Sequence, residues 1–249
     1  MNRMEAYQEK LRELDDWFEF LLQECNLPGP RANLELAQAV AEEGTPALFD
    51  QYLALDAERA PTNTPHEFFA FCGTLGLGRL LAEGNQDALS RLRLAAVDTR
   101  WRIREAVVLA LQRWGAVDMH SLITKMESWS HGSLLEKRAA VAAVCEPSLL
   151  GNLQHAERVL VLLDSITGSM LEEPDRRSQD FKILRKGLGY CWSVGVAAYP
   201  IKGKVMLEKW LANRDPDILW IMKENLRKAR LQRMDPIWTT EWRVHLNVK

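Results

Sequence analysis

Residues Asp98–Leu111 read DTRWRIREAVVLAL, an acidic residue followed by apolar side chains at helical spacing. Trp101, Val108 and Leu111 fall on one face of such a helix, and charged residues interrupt the apolar run. Asp98 is a residue type that accepts hydrogen bonds from the free N–H groups at a helix start, which contributes about 1 kcal/mol. The segment therefore predicts a capped amphipathic helix.

The same pattern returns at Asp217–Leu226, which reads DILWIMKENL. The copies share Asp, Trp, a cation and Glu at relative positions 0, 3, 6 and 7. These residues are Asp98, Trp101, Arg104 and Glu105 in the first copy, and Asp217, Trp220, Lys223 and Glu224 in the second. A repeated motif is better explained by repeated packing than by a unique active site. We expect the Asp residues to cap helices, the Trp residues to pack between neighbouring repeats, and the cations to reach carbonyls or an Asp of the adjacent repeat.

The first copy differs from the second at two positions. Arg100 and Arg102 stand where the second copy has Leu219 and Ile221. Because the shared positions are assigned to packing, these two arginines are the candidates for binding through the first motif.

The chain as a whole predicts an all-α protein of about a dozen helices, since no segment shows the sustained alternation of a β-strand. Starts of helix pairs at Asp98, His131, Ser178 and Asp217 are 33, 47 and 39 residues apart, in the range of roughly 33 to 47 residues for such repeats. Stacked helix pairs bury a continuous core and leave one curved inner surface. We therefore predict a single right-handed α-solenoid domain (an α-α superhelix) over residues 1–249, with degenerate repeats at 1–97 and clearer repeats at 98–246.

Turn and capping residues give the predicted helix ends. Met4–Cys25 is predicted to be one helix, and the helix that follows Asp98 is predicted to stop at Gly115. Pro65–Glu83 is apolar nearly all round and should be buried on most sides. Its three glycines, Gly73, Gly76 and Gly78, do not follow a strand or match a phosphate-binding loop, so we assign them to close helix packing.

The motif D-x-x-W-x-x-[RK]-E, followed by small residues and Leu, resembles the HEAT-repeat family. The resemblance covers residues 98–246 best, and the helices before them are similar to degenerate repeats. It implies a HEAT/armadillo-like solenoid of antiparallel helix pairs.

The charge is distributed unevenly along the chain. The net charge is −2, but residues 1–99 hold 8 Lys/Arg against 17 Asp/Glu, and residues 100–249 hold 24 against 17. Within 176–230 there are 13 basic and 5 acidic residues. This asymmetry favours either a site for an anionic partner or an unevenly charged solvated surface.

Cations in this segment are the candidate phosphate contacts. Lys182, Arg185 and Lys186 share one side of a predicted helix because they are spaced i, i+3 and i+4. The other candidates are Arg176, Arg177, Lys202, Lys204, Arg227, Lys228 and Arg230.

Motifs for catalysis, metal binding and nucleotide binding are missing from the sequence. There is no HExxH, Cys/His cluster, Gly-x-Ser-x-Gly or P-loop. The four cysteines are far apart, which favours buried thiols in a reducing compartment. With no signal peptide and no apolar run long enough to cross a bilayer, we expect a cytoplasmic protein without a membrane partner.

A second resemblance concerns Trp220–Leu231 (WIMKENLRKARL), which is similar to segments of HEAT-like proteins related to bacterial alkylpurine DNA glycosylases. That family implies a solenoid with a positively charged inner surface against duplex DNA, and aromatic residues and a carboxylate beside the damaged nucleotide. The nearest match to its tryptophan-pair-plus-aspartate segment is Glu127–His131, where Trp129 stands alone with no following Asp. No catalytic residue is transferred, and Trp129 is retained only as a candidate binding residue.

Three functions remain open. We expect a non-catalytic scaffold protein that holds a protein partner on its concave surface, without cofactor or metal. The alternative is a nucleic-acid-binding protein that contacts phosphates through residues 176–230, with DNA glycosylase-like chemistry if it is an enzyme at all. A third hypothesis is a lyase or a chaperone for a cofactor-bearing protein, as some HEAT-like proteins are.

Overall fold

The computed structural model describes residues 2–248, and the described chain is all-helical, with 74% helix and no strand. It divides into two compact units, residues 1–117 and 118–249. The first and last residues of the predicted domain 1–249 lie outside the described residues.

In residues 2–117 the helices are joined by connections of between 2 and 11 residues. They are α1 (Arg3–Glu13), α2 (Phe18–Glu24), α3 (Leu34–Glu43), α4 (Pro46–Leu53), α5 (Pro65–Ala82), α6 (Asp87–Ala95) and α7 (Trp101–Val117). Helices α1, α3, α5 and α7 pack in sequence, each against the next, while α4 and α6 lie against α5. The core of this unit is therefore built around α5, which is buried along most of its length, as predicted.

The glycines of α5 allow neighbouring backbones to approach closely. A Cβ built on Gly78 would lie 2.5 Å from Cα of Ala110 in α7, and one built on Gly76 would lie 2.5 Å from the Phe49 ring in α4. The assignment of these glycines to close packing is confirmed, and α5 packs between α4 and α7 because it has no side chain at these positions.

The prediction of one helix over Met4–Cys25 was wrong, because the chain forms α1 and α2 with a break at residues 14–17. The Asp16 carboxylate accepts from the backbone N–H of Phe18 at 3.0 Å, and the Trp17 indole N–H donates to the carbonyl of Leu11 at 2.8 Å. These local hydrogen bonds compete with the backbone hydrogen bonds that would continue the helix.

Helix α7 does not stop at Gly115, as the sequence predicted, but continues to Val117. Gly115 is buried inside the helix and does not end it. The next helix begins after Asp118, whose carboxylate accepts from the backbone N–H of Ser121 at 2.9 Å.

The second unit, like the first, consists of helices that pack around one central helix. Its helices are α8 (Met119–Trp129), α9 (Leu134–Val144), α10 (Leu153–Ser169), α11 (Gln179–Ala198), α12 (Pro200–Leu211), α13 (Pro216–Leu226), α14 (Ala229–Met234) and α15 (Pro236–His245). Single 3₁₀ turns follow α9 (Pro147–Leu149) and α10 (Met170–Glu172). Helix α11 packs against α9, α10, α12, α13 and α14, so it is central to this unit.

Capping residues were predicted correctly at some helix starts and wrongly at others. Ser133 and Glu136 form a capping box, and Ser178 accepts from the Phe181 N–H. Helix α13 is capped by Asp215 rather than by the predicted Asp217, because Pro216 occupies the first helical position and shifts the start by two residues.

All four cysteines are buried and free in the described chain, as the sequence predicted: Cys25, Cys72, Cys145 and Cys191. Burial raises the pKa of Cys72 and of Cys145 well above the usual range for a thiol. Across residues 2–248, each helix is too short or too polar to cross a membrane.

Candidate anion-binding groove

Helix α11 places a row of cations on the surface of the second unit. The Ser178 hydroxyl accepts from the Phe181 N–H at 3.2 Å and fixes where the helix begins. Phe181, Leu184 and Leu188 then occupy the buried face. Lys182 and Lys186, one turn apart, project from the opposite side and are exposed.

A groove of about 520 Å³ lies over this row of cations. It is lined by side chains of α11 and α13 and by the residue that precedes α14. The lining residues are Lys182, Arg185, Lys186, Gly189, Tyr190, Trp220, Glu224 and Lys228. We call this surface the cationic groove. It contains all three cations predicted to share one helix side, together with the Trp of the second motif.

The Arg185 guanidinium is held in place at the floor of the groove. It forms an ion pair with Asp217 and stacks over the Trp220 ring, 4.7 Å from the ring centroid. Gly189 lets the Trp220 ring approach α11, because a Cβ built on this glycine would lie 3.1 Å from the ring. Arg185 therefore has both a fixed position and a partly compensated charge.

Tyr190 forms the other end of the groove and was missed in the sequence. Its hydroxyl accepts from Nη2 of Arg230 at 2.6 Å, and the Arg230 guanidinium lies 4.6 Å from the ring centroid. The Lys228 ammonium lies 6.0 Å from the same centroid. Tyr190 follows Lys186 by four residues, and this spacing places both residues on the same side of the helix.

Three cations of the groove have no carboxylate partner among the described residues. These are Lys182, Lys186 and Lys228. The one carboxylate of the lining, Glu224, is in an ion pair with Arg227 three residues later in the chain. The groove therefore presents an excess of positive charge that is not compensated within the described protein.

The remaining predicted cations outside the groove are mostly neutralised by ion pairs. Lys202 pairs with Glu157, Lys204 with Asp235 at 2.8 Å, and Arg176 with Asp215 at 2.5 Å. Arg177 is exposed and does not line the groove.

Asp215 illustrates how firmly these pairs are held. Burial raises the pKa of Asp215, but hydrogen bonds from the Arg176 guanidinium and from the N–H groups of Ile218 and Asp217 more than offset this. The net pKa is lowered, so the carboxylate stays ionised and keeps Arg176 engaged.

Arg100 and Arg102 lie in the interior of the first unit and not on a binding surface. The Arg100 guanidinium donates to the carboxylate of Asp98 and to backbone carbonyls of the segment that follows α4, including Leu55 at 2.9 Å and Ala60 at 3.2 Å. Arg102 donates to the buried Glu67 at 3.0 Å. Both guanidinium groups are therefore engaged in hydrogen bonds within the first unit.

The other predicted positions differ in their exposure to solvent. Trp129 is buried in α8. Trp101 is 44% exposed, with the Arg102 guanidinium 4.4 Å from its ring centroid. Arg104 donates to the carbonyls of Asp98 and Thr99 at 2.5 and 2.9 Å, and both residues lie just before the start of its own helix.

Lys223 is the counterpart of Arg104 in the second motif. It lies on α13 and is half-buried, one residue before Glu224 of the groove. It does not line the groove itself.

Comparison with models of known protein families, with curated proteins and with solved structures gives no match. Residues 2–248 contain no group of three or more His, Cys, Asp or Glu side chains arranged to hold a metal ion. The cationic groove is therefore the feature from which a function is inferred.

Proposed function

We propose that the protein is a non-catalytic nucleic-acid-binding protein of HEAT-like helical repeats, and that the cationic groove holds backbone phosphates. The observation that carries the proposal is the set of three ammonium groups beside Arg185 in one groove, which have no carboxylate partner among the described residues. Lys182 and Lys186 are four residues apart on one helix, so their Cα atoms are about 6 Å apart along its axis. Lys228 adds a third cation from a different element.

Cation–π contacts explain why phosphates suit the groove better than stacked bases. The Trp220 ring has Arg185 over it, and the Tyr190 ring has Arg230 and Lys228 near it. Base stacking on aromatic side chains needs a free ring face. The aromatic residues therefore position cations, and contacts to phosphate give affinity without reading sequence.

The alternative occupant is an acidic protein segment, in line with the protein partner expected from the sequence. Protein–protein interfaces normally place a cluster of apolar and aromatic anchors at their centre. The groove has no aliphatic residue in its lining, and its two rings are near cations. The lining therefore favours a polyanion over a folded protein surface.

The test is fluorescence anisotropy with a labelled DNA duplex across a salt series. If the groove neutralises about three phosphates, the slope of log K against log salt should be about −2.7 for a duplex. K182E/K186E should abolish measurable binding at low salt. R31E/K125E is the matched control, since it makes the same change in charge at exposed residues outside the groove, and it should keep most of the affinity.

Two results would overturn the proposal. The first is equal loss of binding in both double variants, which would indicate a general charge effect. The second is a groove-dependent affinity for polyglutamate that exceeds the affinity for DNA at the same ionic strength, which would favour the acidic protein segment. Release of bases from alkylated DNA would contradict the non-catalytic part alone.

A further inference from the structure

A second cavity of the 118–249 unit is separate from the cationic groove. It has a volume of about 280 Å³ and lies between the 3₁₀ turn after α9, the C-terminal half of α11, and α14. The lining residues are Pro147, Leu150, Val194, Ala197, Ala198, Arg230 and Arg233. None of these residues lines the cationic groove.

Five of the seven residues that line this cavity are apolar. Leu150 and Val194 are buried, and the two alanines come from the last turn of α11. Its lining includes no carboxylate. Glu146, which precedes the 3₁₀ turn, is not in the lining and accepts from the backbone N–H and the hydroxyl of Ser148.

Arg230 supplies a rigid guanidinium to the cavity wall. Its Nη2 donates to the Tyr190 hydroxyl at 2.6 Å, and the guanidinium stacks on the Tyr190 ring. The other terminal nitrogen, Nη1, is buried and has no hydrogen-bond partner among the described residues. A buried N–H group without an acceptor costs free energy, and an anionic acceptor hydrogen-bonded to Nη1 would remove that cost.

Arg233 gives the cavity a second cation. It lies three residues after Arg230 on α14, so the two side chains are on the same helix face. Arg233 is exposed and has no carboxylate partner among the described residues. One wall of the cavity is therefore cationic and the rest is apolar.

We propose that this cavity binds a small organic monocarboxylate with a compact apolar body. Guanidinium groups hold carboxylates through paired, charge-assisted hydrogen bonds, and the Leu150, Val194 and Ala198 side chains would cover the body. Its volume is just below the roughly 300 to 1,000 Å³ of pockets for drug-sized ligands. A volume of this size fits the apolar body of an aromatic or branched aliphatic acid.

The experiment is a titration of the full chain with benzoate, followed by NMR of the Leu150 and Val194 methyl groups. Benzoate should shift both methyl resonances saturably. Benzamide, which has the same shape without the charge, should bind at least tenfold more weakly, as should acetate, which lacks the apolar body.

Variants test the two walls separately. R230M should weaken benzoate binding at least tenfold, with R233M giving a smaller loss. R230M also removes the Tyr190 contact, so A198L provides a second test. It puts a larger side chain into the cavity, leaves both arginines unsubstituted and should also abolish saturable shifts.

Several outcomes would overturn the inference. These are absence of saturable shifts, equal binding of inorganic phosphate and benzoate, and unchanged affinity in both R230M and A198L. The groove variant K182E/K186E should bind benzoate normally, so failure of the nucleic-acid proposal and failure of this one are distinguishable.

Discussion

Arg102 and Glu67 form a buried ion pair, with Nη1 of Arg102 3.0 Å from Oε2 of Glu67 and side-chain exposures of 4% and 0%. The same guanidinium donates to the carbonyl of Gly29 at 2.5 Å and to the Asn63 side chain at 3.1 Å. Through these bonds Arg102 connects α7 to α5 and to the connections before α3 and α5. A residue first considered for binding thus holds four segments of the first unit together.

Removing the charge of Glu67 should be strongly destabilising. E67Q would leave the Arg102 guanidinium buried without its counter-ion, and breaking a buried pair in this way costs about 3 to 5 kcal/mol. Urea unfolding of the wild-type protein and the variant measures the difference in the free energy of unfolding of the first unit.

A matched control is available in the same unit. Arg113 and Glu42 also pair, at 2.5 Å, but their side chains are 34% and 31% exposed. Since solvent compensates a partly exposed charge, E42Q should cost no more than about 1 kcal/mol. Equal costs in E67Q and E42Q would mean that burial does not determine the strength of the Arg102–Glu67 pair.

Substituting Gly78 should disturb the packing of α5 on α7. G78A would bring a methyl group to 2.5 Å from Cα of Ala110, a contact that only movement of the backbone can relieve. We expect a loss of about 1 to 3 kcal/mol, the usual cost of overpacking a core. The measurement is the midpoint of thermal or urea unfolding.

Gly168 provides the comparison for this prediction. It also lies within a helix, α10, but a Cβ built there would be 3.8 Å from its nearest neighbour, the Trp210 ring. G168A should therefore stabilise by up to about 1 kcal/mol through helix propensity. If G78A stabilises the protein as G168A does, the contact between α5 and α7 has room for a methyl group at position 78.

Local patterns predicted these helices well because the determining contacts are local or follow from helix periodicity. The Ser178 cap, the Pro65 start and the buried character of α5 were all readable from short segments. The break at residues 14–17 was not, because short-range hydrogen bonds of the Asp16 and Trp17 side chains outweigh an apolar pattern that continues through it.

The roles of the cations were harder to predict because they depend on partners far away in the chain. The Arg100 guanidinium donates to the Leu55 carbonyl, 45 residues earlier in the chain, and the Lys204 ammonium donates to the Asp235 carboxylate, 31 residues later. By contrast, Lys182 and Lys186 follow from spacing on a single helix. Helix geometry in a sequence shows which cations share a face, but not which of them are already neutralised.

The buried thiols should be inert in the native protein. Desolvation in the core raises the pKa of Cys72 and Cys145, so little thiolate exists at neutral pH, and the thiolate is the reactive form. We expect almost no reaction with Ellman's reagent at pH 7.5 in the absence of denaturant, and four reacting thiols per chain in 6 M guanidinium. Rapid labelling of the native protein would show that one of these cysteines is exposed by local opening.

Asp235 should make part of the stability pH-dependent in acid. Its pKa is lowered by the hydrogen bond from Lys204 and by the N–H of Trp238, so the folded pKa lies below the ordinary value of about 3.9 in an unfolded chain. A depressed folded pKa contributes stability that is fully present above about pH 3.9 and is lost as the pH falls through the folded value. D235N keeps a side-chain oxygen for the helix cap but removes the charge.

Wild-type protein should therefore have a larger free energy of unfolding than D235N at pH 7, and the difference between the two should shrink steadily below about pH 4. K204M should shrink it too, because Asp235 would then titrate closer to its ordinary pKa. Unfolding curves between pH 2.5 and 7 measure this, and a difference that stays constant over the whole range would show that Asp235 stabilises the fold through its cap alone.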